Sequence, residues 1–146
     1  MIRAATQWDV PQIVELGSQS LIDGPYKDLI KDVPKQTTIF ANQIIENKNG
    51  KVLLYENDNG KVAGLLAFLI FPHPFTGEPT ATELMWYVLP EEREGGAGVK
   101  LLWEAEKEAK TMGATYMGFT APTLDVAALY KRFGYKQLEV TFMKEL

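Results

Sequence analysis

Hydrophobic positions in the first 50 residues follow a helical period. A short strand is predicted at Ile2–Ala5, and Thr6 and Asp9 behind it have the spacing of a helix capping box. The first helix is predicted to end at Gly24-Pro25, and a second helix to end at Gly50. The inward face of the first helix is formed by Val10, Ile13, Val14, Gly17 and Leu21, and that of the second by Ile39, Phe40, Ile44 and Ile45.

From residue 51 onward the pattern favours strands. An Asn-Gly turn between Lys51–Glu56 and Lys61–Phe71 indicates an antiparallel hairpin. The prolines of the next segment, Pro72–Pro79, lack amide donors, which predicts a loop before the strand Thr80–Leu89. The remaining elements are predicted as a helix to about Met112, a strand at Tyr116–Thr120, a helix at Leu124–Phe133 and a strand at Tyr135–Leu146.

This order of elements, β-α-α-β-β-β-α-β-α-β, combines an antiparallel meander with a β-α-β crossover. It predicts an α/β (α+β) fold with a central, mixed, mostly antiparallel twisted sheet flanked by helices. A length of 146 residues, without internal repeats or a linker, is typical of a single domain, residues 1–146.

Composition narrows the classes of function. Hydrophobic residues make up 46% of the chain and charged residues 23%, which is typical of a soluble globular protein. The net charge of −4 argues against nucleic-acid binding, which needs a surplus of Lys and Arg. No apolar run is long enough to span a bilayer, and the N-terminus lacks the apolar core of a secretory signal. The absence of cysteine excludes disulfides, thiolate metal sites and a cysteine nucleophile, and we expect a cytoplasmic protein.

The junction Arg93–Gly98, between a strand and a helix, carries the most specific chemistry. A helix N-terminus presents unpaired amides and the positive end of a dipole, and glycines let the backbone approach phosphate oxygens closely. On the glycines alone, a diphosphate site and a tight turn without a ligand are equally good interpretations. A P-loop fits worse, because Val99-Lys100 follows the last glycine, and a Rossmann fingerprint lacks its third glycine at Leu101.

Two motifs at the right separation resemble the GNAT superfamily of acyl-CoA N-acyltransferases. The segment Glu83–Leu102 resembles its signature, an apolar strand and a proline followed by Arg/Gln-x-x-Gly-x-Gly/Ala. Arg93, Gly96 and Gly98 fill the three defining positions of that signature. The segment Ala128–Tyr135 resembles the closing helix of the superfamily, which ends Leu-Tyr-x-x-x-Gly-Phe/Tyr. The likeness extends over nearly the whole chain.

The resemblance implies that coenzyme A binds at the glycine-rich junction and along the strand before it. Its pyrophosphate would be held by the backbone amides of Arg93, Glu94, Gly95, Gly96, Ala97, Gly98 and Val99. Its pantetheine arm would pair with the strand end Tyr87, Val88 and Leu89, where the fourth strand splays from the fifth. Thr123 stands where many members carry Asn, and it is assigned to cofactor binding as well.

Acyl transfer from a thioester to an amine needs an oxyanion site, a base for the amine and a proton for the departing thiolate. A strand amide near Val88 is the candidate for the oxyanion. The resemblance implies that Tyr130 protonates the thiolate, with packing on the sheet as its alternative role. Glu83 is the candidate base, because burial among apolar residues would raise its pKa, and a solvent-facing or structural role stays open. His73, the single histidine, and Phe75 are assigned to substrate binding, with His73 as a second candidate base.

The sequence therefore predicts an N-acetyltransferase that moves an acetyl group from acetyl-CoA to a primary amine of a small molecule or a protein, without a metal. Its expected partners are acetyl-CoA and the amine acceptor, with no membrane, in a homodimer as the commonest assembly of soluble oligomers. A likeness of His73–Glu78 and Glu83–Tyr87 to phage-encoded members keeps nucleic-acid-modifying and host-protein targets among the acceptors. Two other classes stay open: a catalytically silent GNAT fold that binds coenzyme A or a protein partner, and a structural protein that binds no nucleotide.

Overall fold

The computed structural model describes residues 1–146 and contains five strands and four α-helices. The strands are β1 Ile2–Ala4, β2 Gly50–Glu56, β3 Val62–Pro72, β4 Pro79–Val88 and β5 Tyr116–Gly118. The helices are α1 Val10–Asp23, α2 Val33–Glu46, α3 Ala97–Thr111 and α4 Leu124–Arg132. The predicted order of elements is confirmed from β1 to α4. None of these helices is long and apolar enough to cross a bilayer.

The strands form one sheet in the order β1-β2-β3-β4-β5, antiparallel except for the parallel pair of β4 and β5. Helix α3 makes the crossover between these two strands, because parallel neighbours cannot be joined by a tight turn. β5 pairs with β4 only from Thr80 to Thr82, whereas β4 continues to Val88. The strands therefore diverge and leave a gap along β4 from Glu83 to Val88, which confirms the predicted splay.

Helices cover both faces of the sheet and create two cores. On one face the core residues are Ile13, Leu16, Ala41, Ile44, Val52, Leu54, Leu65, Ala67, Met85 and Tyr87. On the other face they are Leu53, Leu66, Phe68, Ala81, Val88, Ala97, Leu101, Ala105 and Ala109. Leu65 and Leu66 are neighbours in β3 and are both fully buried, one in each core, because successive strand residues point to opposite faces. A strand buried on both faces explains why β3 reads as a continuous apolar run.

A β-bulge in β4 decides which side chains reach the gap. Ala67 of β3 lies opposite Met85, but the next β3 residue, Phe68, lies opposite Glu83, so Leu84 is an extra residue. A bulge of this kind changes the face to which the following side chains point. It places Glu83 on the α3 face of the sheet together with Trp86, although an uninterrupted strand would put them on opposite faces.

The strand predicted at Tyr135–Leu146 is wrong. Residues 136–146 form no strand, and Leu138, Val140 and Phe142 are 82%, 64% and 90% exposed. Alternation of apolar and polar residues predicts a strand only where a neighbouring strand supplies hydrogen bonds and a surface to pack on. In the single chain this segment has no neighbouring strand, so it has neither the hydrogen bonds nor the packing surface.

The predicted end of the second helix is also wrong. Helix α2 ends at Glu46, and Gly50 begins β2 instead of stopping the helix. The Asn47 side chain accepts a hydrogen bond from the Asn49 amide over 2.9 Å, so the chain already turns there. Ile39, predicted to face inward, is 40% exposed. The buried residues of α2 are Thr37, Ala41 and Ile44.

Candidate functional site

The glycine-rich junction forms an open corner between β4 and α3. Pro90–Gly95 makes a short 3-10 helix, and Gly96 then turns the chain with a φ of +77° before α3 begins. A Cβ added at Gly95 or Gly96 would meet no atom within 4 Å, so the outer surface of the corner is free of protein. The positive φ also favours glycine at residue 96 on conformational grounds.

A row of amides at this corner has no hydrogen-bond acceptor within the protein. These are the main-chain N–H groups of Gly96, Ala97, Gly98 and Val99. By contrast, the Asp32 side chain caps α2, whereas the N-cap of α3 is a glycine and offers no side chain. Since unpaired amides and the helix dipole favour an anion, the corner suits an anionic group such as a diphosphate.

Arg93, the single cation of the corner, turns back toward β4. Its Nε donates to the Val88 carbonyl oxygen over 2.8 Å, and its guanidinium carbon lies 5.3 Å from the centre of the Tyr87 ring. The side chain therefore braces the corner against the end of the strand. Glu91 and Glu94 are exposed, so water and salt screen their charges from the corner.

Main-chain groups of β4 face the gap at alternate residues. The Leu89 amide donates to the Ala63 carbonyl oxygen of β3 over 2.9 Å. Because main-chain groups alternate in direction along a strand, the amides of Val88 and Trp86 face the opposite side, which is the gap. Of the strand-end residues predicted to bind the pantetheine arm, Val88 is the one whose amide the structure points into the gap.

The Tyr87 side chain lies on the other face of the sheet. Its hydroxyl donates to Asp23 Oδ2 over 2.7 Å, which links the end of α1 to the end of β4. Burial, and then the negative charge of Asp23, raise the pKa of Tyr87 to about 12, so the hydroxyl keeps its proton. Sequence analysis missed this pair because 64 residues separate its members.

Glu83 lies at the point where β4 and β5 part. Its Oε2 accepts a hydrogen bond from the Thr120 amide over 3.3 Å, across the gap. Burial raises the pKa of the Glu83 carboxyl to about 7, and the Thr120 amide offsets this only in part. The side chain keeps some contact with solvent, so it can exchange its proton with water. A carboxyl that titrates near neutrality suits a general base.

An aromatic cluster of Trp86, Phe119, Tyr130 and Tyr135 lines the α3 side of the gap. The Tyr130 ring centre lies 5.0 Å from that of Phe119 and 5.7 Å from that of Trp86. The Tyr135 ring meets Phe119 edge-on at 5.2 Å, and its hydroxyl donates to Glu106 Oε1 over 2.6 Å. The last bond ties the end of α4 to α3, so the position of the cluster is set by both helices.

Tyr130 is buried, yet its hydroxyl forms no hydrogen bond in the protein and is not among the fully buried polar atoms. The hydroxyl therefore reaches the space of the gap. Burial, and then the negative charge of Glu83, raise the pKa of Tyr130 well above its usual range. Glu83 accepts from the Thr120 amide, next to Phe119, and the Phe119 ring packs on Tyr130, so the two side chains predicted to be catalytic lie near each other.

The remaining predicted residues lie away from the gap or serve the backbone. Thr123 Oγ1 accepts a hydrogen bond from the Val126 amide over 3.3 Å and so caps α4. His73 Nδ1 accepts from the Phe75 amide over 3.1 Å, and the Phe75 side chain is 92% exposed at the tip of the β3–β4 loop. At about 3.3 Å per residue, this loop begins about 13 Å along the strand from Glu83.

The profile of the acetyltransferase (GNAT) family matches residues 19–135. The fold is similar to that of a transcriptional regulator from Bacillus halodurans C-125, with 22% identity, a TM-score of 0.79, and coverage of 100% of this chain and 99% of the other. No curated protein matches the sequence.

Two further similar structures are named as aminoglycoside acetyltransferases or carry a coenzyme A analogue. One is the aminoglycoside antibiotic 6'-N-acetyltransferase AAC(6')-IG from Acinetobacter haemolyticus, with 22% identity, a TM-score of 0.77, and coverage of 100% of this chain and 99% of the other. The other is AAC(6')-Iy in complex with the bisubstrate analogue CoA-S-monomethyl-acetylneamine, with 16% identity, a TM-score of 0.79, and coverage of 100% and 97%. At these identities the likeness shows a shared fold.

Proposed function

Because this chain belongs to the GNAT acetyltransferase family, we propose that it transfers an acetyl group from acetyl-CoA to a primary amine of a small molecule or a protein. The observation that supports the donor most directly is the row of free amides from Gly96 to Val99 on an open corner. The corner lies at one end of the gap, and Glu83 and Tyr130 lie farther along it. The proposed donor site and the two candidate catalytic side chains therefore line one continuous gap.

The chain's own residues supply the groups that would hold the donor. The amides from Gly96 to Val99 suit the diphosphate, and the Val88 amide, which faces the gap, suits the pantetheine arm. Arg93 donates a hydrogen bond to the Val88 carbonyl oxygen and packs on the Tyr87 ring, so it fixes the shape of the strand end. We assign the other residues of the corner, Glu94 and Gly95, to its outer rim.

In the proposed reaction the amine nitrogen bonds to the acyl carbon, the carbon–sulfur bond breaks, and the sulfur leaves with the electron pair. Glu83 takes a proton from the amine, directly or through water, because its carboxyl titrates close to neutrality. Tyr130, whose hydroxyl is protonated and free of protein partners, gives its proton to the thiolate, and the proton that Glu83 took up passes through water to restore the Tyr130 hydroxyl. The amide of Trp86, near Val88, is the candidate for stabilising the oxyanion.

The acceptor determines which other residues contribute. The loop that carries His73 and Phe75 begins about 13 Å along β4 from Glu83, so we propose these two residues as contacts for a protein acceptor and not for a small amine. The exposed alternating segment with Leu138, Val140 and Phe142 supports a homodimer, because a second copy would supply the surface that it lacks. A cytoplasmic location remains the expectation from the sequence.

The test begins with binding and continues with turnover. Titration calorimetry of the purified protein with coenzyme A is expected to give a defined dissociation constant. Acetyl-CoA is then incubated with a panel of small amines and peptide amines, and release of free thiol is followed optically. Binding with thiol release supports the proposal. Binding without release across the panel would favour the silent fold, and no binding at all would overturn the donor assignment.

A further inference from the structure

Trp86 carries the one fully buried side-chain nitrogen or oxygen in the chain that has no hydrogen-bond partner, its indole Nε1. Buried donors in native proteins are nearly always paired, since an unpaired one destabilises the fold. The few exceptions need a physical explanation. A strained site and a site completed by a ligand are two such explanations.

The indole ring lies between the glycine-rich corner and the ring of Tyr130. A Cβ added at Gly98 would lie 3.2 Å from Trp86 Cζ2 and 3.8 Å from Nε1, so the ring edge rests against the first turn of α3. The ring centre lies 5.7 Å from that of Tyr130 and 6.2 Å from that of Phe119. Trp86 thus lies between the first turn of α3 and the ring of Tyr130.

We infer that Trp86 binds the acyl donor, with its indole N–H donating a hydrogen bond to an amide carbonyl of the pantetheine arm of coenzyme A. The inference rests on the proposed function and extends it to a residue outside the glycine-rich corner. A donor held at the corner and reacting beside Tyr130 must pass the indole. Its arm bears amide carbonyls, which are the acceptors that an indole N–H needs.

The backbone at Trp86 favours the same ligand. β5 has left β4 after Thr82, so the amides of Trp86 and Val88 on the gap side have no strand partner, and Arg93 pairs only with the Val88 carbonyl oxygen. An extended arm that pairs with the Val88 amide lies beside the indole N–H. Because that N–H is buried in the free protein, the ring must turn toward the gap when the arm binds.

The same contact explains the glycine at residue 98. Gly98 does not have a positive φ, so its backbone does not require glycine. A Cβ there would press on the Trp86 ring at 3.2 Å, which is closer than ordinary van der Waals contact. We therefore assign Gly98 to making room for the indole, in addition to offering its amide.

The experiment compares two ligands on three proteins. Coenzyme A and adenosine 3',5'-bisphosphate, which lacks the arm and the outer phosphate of the diphosphate, are titrated by calorimetry into the unmodified chain, Trp86→Phe and Trp103→Phe. Trp103 is 55% exposed and lies outside the gap, so it is the matched control. We expect Trp86→Phe to weaken coenzyme A about five- to tenfold, as for loss of one hydrogen bond, and to leave the bisphosphate unchanged.

A second measurement needs variants only to assign the signals. The chain has 3 tryptophans, so a nitrogen–proton correlation spectrum contains a separate indole signal for each. Coenzyme A is expected to move the Trp86 indole proton downfield and to slow its exchange with water. The signals of Trp8, which is 79% exposed, and of Trp103 are expected to stay in place.

The outcomes separate the inference from the proposed function. If coenzyme A does not bind the unmodified chain, the proposed function fails and the inference fails with it. If coenzyme A binds but Trp86→Phe binds it equally well, or the Trp86 indole signal does not move, the inference alone is overturned. Equal weakening of coenzyme A and the bisphosphate would also overturn it, because the indole would then act through the shape of the corner.

Discussion

At the scale of single residues, surroundings set the chemistry of Glu83 and Tyr130. Glu83 has one hydrogen-bond donor, the Thr120 amide, and no cation beside it, so burial dominates and raises its pKa to about 7. Asp9 is the opposite case, because the side chain of Arg3 pairs with it and holds its pKa at about 2. Identical chemical groups in one small protein thus differ in pKa by several units.

Glu83→Gln tests the role of the base through the pH profile. In the unmodified chain, kcat/KM is expected to rise as the pH passes through about 7, because the carboxyl must lose its proton before it can act as a base. The Gln variant is expected to lose that limb and most of its activity. His73→Ala is the control and should keep the limb. A limb lost in His73→Ala and kept in Glu83→Gln would reassign the base.

Tyr130→Phe tests the proton donor. The hydroxyl makes no hydrogen bond within the protein, so its removal leaves the fold and coenzyme A binding unchanged. Loss of a general acid is expected to lower kcat by about tenfold or more. Steady-state kinetics and calorimetry on the same preparation measure both quantities. Unchanged kcat would remove Tyr130 from the mechanism and leave it as a packing residue.

At the scale of elements, β4 brings the site together. Its start pairs with β5, its bulge at Leu84 turns Glu83 toward the α3 face, and its end is braced by Arg93. The helix that follows begins on a glycine, so its first amides stay free. Strand, bulge and helix start therefore act as one unit, although each is an ordinary structure by itself.

The corner can be tested with a pair of matched glycines. A Cβ at Gly96 or at Gly95 would meet no atom within 4 Å, but only Gly96 has a positive φ, of +77°. Gly96→Ala is expected to lower the free energy of unfolding by about 1 kcal/mol and to weaken coenzyme A several-fold, because the corner must change shape. Gly95→Ala is expected to change neither. Chemical denaturation and calorimetry check both variants, and equal behaviour would contradict the assigned geometry.

At the scale of the whole molecule, one ion-pair network closes the sheet edge onto the first helix. Arg3 in β1 contacts Asp9 over 2.8 Å and Glu56 over 2.7 Å, so it joins the start of α1, β1 and the end of β2. Asp9 is 6% exposed and also accepts the Thr6 amide over 2.8 Å. This is the capping box that the sequence predicts, and it is confirmed.

Asp9→Asn tests how much this network stabilises the fold. The pKa of Asp9 falls from 3.8 to about 2 on folding, so its contribution is present above pH 3.8 and is lost as the pH falls through about 2. At pH 7 we expect the variant to be less stable by roughly 1–3 kcal/mol, allowing for the partly exposed Arg3. Thermal unfolding between pH 2 and 7 measures this, with the exposed Asp58→Asn as control. A difference in stability between Asp9→Asn and the unmodified chain that stays constant down to pH 2 would contradict the assigned cause.

Local signals explain why most of the fold could be predicted. The Asn-Gly hairpin, the capping box and the glycine-rich strand-to-helix junction depend on residues only a few positions apart. The predicted C-terminal strand failed because a strand needs a partner, and alternation of residues does not say where that partner is. The prediction that Ile39 lies on the inward face of α2 failed for a similar reason, because the sheet decides which stripe of a helix is covered.

By itself, the amino-acid sequence determined the order of the elements, the family of the chain, the place of the glycine corner and the identity of Glu83 and Tyr130 as candidates. Only the tertiary structure decided that these two side chains share one space, because a single extra residue in β4 changes the face of Glu83. It also decided that Tyr87 pairs with Asp23 and that the Trp86 N–H has no partner. Such properties depend on distances between residues far apart in the chain, and a linear pattern contains no measure of those distances.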